Sequence, residues 1–105
     1  LEIKIDSRIQ EINFGKFEGI VNNEEFQYYK QNHGLHYPGG ESLFQVVYRV
    51  YSFLEELENK YPDKNILVVC HGGIVRVIHS YFQDMTNEEL MTWLPENCCI
   101  QSYEK

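Results

Sequence analysis

Apolar and polar positions alternate over the first six residues, LEIKID, and this period of two predicts a short strand with one wet face. The next stretch, SRIQEINFGKFEGI, keeps no sustained period, and Gly15 and Gly19 interrupt any long helix, so it reads as a shaped loop. Asn22 then stands before a helix-forming run, NEEFQYYKQN, with Glu25 three residues on, which predicts a short capped helix. HGLHYPGG is loop, punctuated by three glycines and a proline. From Ser42 the period lengthens. Gln45 sits at capping-box spacing, and Leu43, Val47, Val50, Leu54 and Leu57 recur at steps of four and three. That is one apolar stripe along about four turns of helix, and NKYPDKN ends it.

NILVVC, residues 65–70, is almost wholly apolar and reads as a buried strand. A helix from about Gly73 to Gln83 follows, then a second at TNEELMTWL, with Thr86 and Glu89 as its capping box and Pro95 as its stop. CCIQSYE reads as a last strand. An apolar strand with helices on both sides in sequence is what a parallel sheet covered on both faces produces. The pattern therefore predicts an α/β fold, although three strands are few for one.

Composition narrows this picture. A chain of 105 residues holds one domain with a single modest core. Its formal charge of −7 argues against a broad nucleic-acid footprint, which needs clustered Lys and Arg, so any anion pocket must be built from a few placed groups. No apolar run approaches the roughly 18 residues that suggest a membrane span, and no signal-peptide pattern opens the chain. Cys70, Cys98 and Cys99 form no CxxC pair, which weakens a zinc reading and leaves free thiols in a reducing, cytoplasmic setting as the expectation.

Candidate chemistry gathers at the end of the apolar strand. In open α/β sheets, ligands bind beyond the carboxyl ends of the strands, and His71 occupies that place. Gly72 and Gly73 let backbone N–H groups approach a ligand at a helix N-terminus, where the dipole favours anions. His71 is then either an imidazole in an anion site or a loop residue bonded locally. Glu11 stands just after a strand end among Ile9, Ile12 and Phe14. A carboxylic acid in partly apolar surroundings keeps its proton more readily and can serve as a general acid. A loop carboxylate bonded to nearby backbone is the alternative.

Three stretches, RIQEINFGKFEGI, HYPGGES and ILVVCHGGIVRVI, occur in an order and spacing that resemble the histidine phosphatase superfamily, also called the phosphoglycerate mutase-like family. The whole chain, residues 1–105, resembles the C-terminal part of a single domain of that family, closest in look to the small bacterial α-ribazole-phosphatase type and the fructose-2,6-bisphosphatase type. The resemblance implies a three-layer α/β/α fold with a mostly parallel sheet, here incomplete because the N-terminal strand–helix units are missing. It implies a phosphatase of small phosphorylated metabolites that works through a phosphohistidine intermediate, without metal or other cofactor. By position, Glu11 matches the family's proton donor and His71 the second histidine, which stabilises the transferring phosphoryl group. The Gly72 position contributes to the phosphate pocket. Arg76 matches a substrate-contacting arginine of the bisphosphatase branch, with a surface helix arginine as the alternative.

The departure is large. No Arg-His-Gly, the motif that carries the family's nucleophile, occurs in these 105 residues, and Arg8, Arg49 and Arg76 are the only arginines. The chain then reads as a fragment that is inactive alone. Mutase-type phosphoryl transfer and a non-catalytic module for phosphorylated ligands or a partner stay open as alternatives. The missing central strand would leave residues 65–70 with an unpaired edge, which predicts a homodimer contact there, a rearrangement or aggregation.

Overall fold

The computed structural model describes residues 2–19, 23–95 and 100–104. Its organising element is the helix that opens at Ser42. The Ser42 hydroxyl accepts from the Gln45 N–H (3.3 Å) and the Gln45 side chain accepts from the Ser42 N–H (2.9 Å), the reciprocal capping box that the spacing predicts. This helix, α2, runs over Leu43–Lys60 after the shorter α1, Glu24–Gln31. Helix α3 spans Gly72–Phe82, and α4 spans Asn87–Thr92 behind its own Thr86/Glu89 box. Short 3-10 turns at Ser7–Ile9 and Gly15–Phe17 shape the loop before α1. The cap of α1 is Asn23, whose side chain accepts from the Phe26 N–H, one residue later than expected; Asn22 lies outside the described residues.

The core lies between α2 and α3. Val46, Val50, Phe53 and Leu54 pack on Ile74, Val77 and Ile78, with Ile74 and Val50 fully buried. The predicted stripe on α2 was too narrow. Val50 and Leu54 are buried as read, whereas Leu43, Val47 and Leu57 lie at the flanks and Val46 and Phe53 complete the face. A helix that packs both on a neighbouring helix and on the 7–9 turn needs the wider arc.

A second cluster is aromatic. Phe14, Phe17, Phe26, Tyr29 and Tyr37 join the early loop, α1 and the glycine-rich loop, with ring centroids 5.1–6.2 Å apart. The two loops also meet backbone to backbone. Lys16 N–H donates to the Pro38 carbonyl and Glu41 N–H to that of Asn13, each at 2.9 Å. A Cβ on Gly15 would lie 2.0 Å from Pro38 O, and one on Gly40 2.2 Å from Asn13 O. Gly15 also has φ +58°, which side chains disfavour. Both glycines are therefore required by contact.

The predicted α/β sheet is overturned: no strand forms among the described residues, which are helices, turns and irregular segments. A strand needs a hydrogen-bonded neighbour as well as an alternating pattern, and none of LEIKID, NILVVC or the described part of CCIQSYE pairs into one. The alternation itself survives in part. Val68 and Cys70 pack against the core, while Leu67 and Val69 are 78% and 82% exposed. The segment is thus covered on one face, where the unbroken apolar run implied two. Ile3 and Ile5, assigned to a dry strand face, are 86% and 98% exposed. Cys98 and Cys99 lie outside the described residues. Among those residues, no helix is long and apolar enough to cross a membrane.

Candidate active site

Glu11 reaches its place through the turn at Ser7–Ile9 and the loop that follows. Its Oε1 accepts the N–H of Ile12 at 2.9 Å, and the carboxylate lies over the backbone of Gly73. A Cβ at Gly73 would sit 2.8 Å from Oε1 and 3.3 Å from Oε2, so a side chain there would push the carboxylate away. Gly73 is in the first turn of α3, where N–H groups lack intrahelical partners and the dipole favours an anion. Glu18, the other carboxylate of the loop, turns back to accept from the Phe14 N–H at 2.8 Å and is exposed.

Arg76 lies one turn further along α3 and lines the same cleft, a cavity of ≈ 230 Å³. Its Nε donates to the Trp93 carbonyl at 2.7 Å, which ties α3 to the end of α4. Stacking of His79 on Trp93, with centroids 4.1 Å apart, reinforces that tie. Burial lowers the Arg76 pKa below the usual arginine value, opposed by the charge of Glu11. It is a buried-flank arginine held in place, not a loose surface one. Burial, and secondly the negative charge of Glu11, raises the Cys70 thiol above its ordinary pKa, which disfavours the reactive thiolate.

His71 stands apart from this group. It is the exposed N-cap residue of α3, makes no side-chain capping bond, and accepts through its carbonyl from the N–H groups of Ile74 and Val75, each at 3.0 Å. It does not line the cleft. Gly72 beside it faces the Leu94 side chain. The fold thus brings Glu11, Gly73 and Arg76 together and leaves His71 and Gly72 at the rim.

The far wall of the cleft went unread in the sequence. Phe26, Tyr29, Lys30 and His33 line it from α1 and just beyond its C-terminal end, and Leu90 and Met91 of α4 line it too. Phe26, Tyr29 and Lys30 stand at helical spacing on one face of α1, a signal that was available, while His33 follows the helix end. Among the described residues, His33 Nε2 is the buried side-chain polar atom without a hydrogen-bond partner. Such a group is costly to leave unsatisfied. Chemically, the cleft offers one carboxyl, one fixed guanidinium, one ammonium and one imidazole among aliphatic and aromatic side chains.

The chain is similar in sequence to known proteins. The sequence profile of the histidine phosphatase superfamily (branch 1) matches residues 1–104. A 6-phosphofructo-2-kinase/fructose-2,6-bisphosphatase from Aquarana catesbeiana is 40% identical over 68 residues, which cover 64% of this chain and 14% of that protein. A probable fructose-2,6-bisphosphatase from Schizosaccharomyces pombe is 34% identical over 80 residues, 76% of this chain and 17% of its own length. Phosphoserine phosphatase 1 from Hydrogenobacter thermophilus is 31% identical over 87 residues, 75% of this chain and 41% of that enzyme. The chain therefore spans less than half the length of these relatives. No solved structure matches it.

Proposed function

We propose, from the premise that this chain belongs to the histidine phosphatase superfamily, that it carries the proton-donor half of a phosphomonoesterase site. The observation that carries this reading is the Glu11 carboxylate against Gly73 in a cleft shared with Arg76. In the reaction, a histidine outside these 105 residues attacks phosphorus, and the bond from phosphorus to the leaving oxygen breaks. That oxygen takes the Glu11 proton. Water then attacks the phosphohistidine, gives its proton back to Glu11 and releases phosphate, so the net change is ester plus water to alcohol plus phosphate. His71 stabilises the phosphoryl group from the rim, Gly72 and the α3 N-terminus face its oxygens, and Arg76 orients the substrate. The cleft wall of Tyr29, Lys30 and His33 takes the rest of a small polar metabolite.

The test is the leaving-group dependence of Glu11→Gln in a full-length parent enzyme. Turnover of a sugar phosphate should fall about 10²-fold or more, the usual worth of a general acid. p-Nitrophenyl phosphate should fall far less, because its phenolate departs without a proton. Equal losses on both substrates would remove Glu11 from the proton-donor role. The absence of Arg-His-Gly favours one other reading, a module that binds phosphorylated ligands without turning them over. A parent reading frame that lacks that motif altogether would select it.

A further inference from the structure

Arg49, at the end of the second turn of α2, spends all five of its N–H donors. Nε and Nη2 grip the Glu41 carboxylate at 2.9 and 3.0 Å. Nη1 donates to the carbonyls of Arg8 (2.7 Å) and Gln10 (2.8 Å), and Nη2 reaches that of Glu11 (3.4 Å). Glu41 extends the grip by two further bonds. Its Oε1 accepts from the Asn13 N–H, and its own N–H donates to the Asn13 carbonyl, both at 2.9 Å. The backbone is thereby held at residues 8, 10, 11 and 13, on both sides of Glu11, by one side chain from α2 and one from the glycine-rich loop.

We propose that Arg49 and Glu41 are positioning residues for Glu11: their bonded pair fixes the loop so that the carboxyl is presented over Gly73. The functional consequence rests on the reading of Glu11 as proton donor; the geometric claim does not. Planarity is what the arrangement uses. A guanidinium reaches a carboxylate on one edge and three carbonyls on the other, whereas a lysine ammonium is a single point with three donors.

Two measurements test this. On the 105-residue chain, Glu11→Gln should displace the Gly73 amide resonance, because the carboxylate lies over that backbone, and the size of that displacement is the Gly73 response. Arg49→Lys, or Glu41→Gln should the first variant fail to fold, should reduce the Gly73 response at least two-fold while the α2 and α3 amide pattern persists. An unchanged Gly73 response in a folded variant would overturn the proposal. In a full-length parent, Arg49→Lys should lower kcat on a sugar phosphate about ten-fold with p-nitrophenyl phosphate within about three-fold, the same asymmetry in miniature as Glu11→Gln. Equal losses on the two substrates would mark Arg49 as merely structural. If Glu11→Gln itself shows no asymmetry, the proton-donor reading fails, and the Gly73 response still decides whether Arg49 positions the carboxylate.

Discussion

The loop that carries Glu11 and the segment that ends at His71 are both irregular, and the chain treats them in opposite ways. Around Glu11 the backbone groups are matched: Arg49 and Glu41 bond four residues of the loop, and Gly15 and Gly40 let a second loop dock on it. Along residues 65–70 no backbone ladder forms, and Leu67 and Val69 face outward. One half of the candidate site is stabilised from within the described residues. The other ends in an exposed imidazole on a segment held by one face. Side-chain clamps and close backbone contact can fix a loop locally, but a sheet position depends on neighbouring strands.

The largest effect should come from breaking the well-held side. Gly15→Ala adds a Cβ 2.0 Å from a carbonyl at positive φ, and should destabilise the chain by about 3 kcal/mol in urea unfolding. Gly19→Ala shares the positive φ (+76°) but meets nothing within 4 Å, and should cost only about 1 kcal/mol. Similar losses at the two sites would mean that the loop contact stabilises little. The poorly held side can be probed residue by residue. Val68→Ala should cost about 1 kcal/mol, against less than about 0.5 kcal/mol for Val69→Ala, because only the first packs on the core. If Val69→Ala proves the costlier, that face is covered in solution. Sedimentation of Val69→Lys beside the parent chain would then show whether a second copy covers it, the homodimer contact proposed for this edge.

The smallest effect is electrostatic. Hydrogen bonds from Arg49, with help from the Asn13 N–H, hold the Glu41 pKa below the ordinary glutamate value of 4.5. A carboxylate with a depressed folded pKa stabilises the fold above its unfolded pKa, and that contribution is lost as pH falls through the folded one. Unfolding free energy should therefore decline below about pH 4.5 more steeply in the wild-type chain than in Glu41→Gln, with about 1 kcal/mol at stake. Parallel declines would leave the clamp without electrostatic weight.

Local structure was legible where a rule acts within a few residues. Ser42 with Gln45 and Thr86 with Glu89 announced two helices, and His71-Gly-Gly marked the start of α3, because caps and glycines act on their immediate neighbours. The sheet was misread because an apolar run reports a preference for burial and contains no partner to pair with. Glu11 was found through its apolar flanks, and the structure gave it Gly73 and Arg76 as company. Glu41 lies in the HYPGGES stretch, but nothing in the sequence pairs it with Arg49 or either of them with the Glu11 loop. Their bonds to the loop join residues 28 to 41 positions apart, and no period or motif connects such pairs.

Trp93 follows the end of α4, stacked on His79, with its carbonyl accepting from Arg76. It is the single tryptophan of the chain. Its emission is therefore a label-free optical signal from one known spot. Loosening of α4 from α3 would unstack the indole, wet it and shift its spectrum to the red. A fluorimeter could then follow the seating of Arg76 in real time, as small phosphorylated compounds are titrated in, without any turnover to watch.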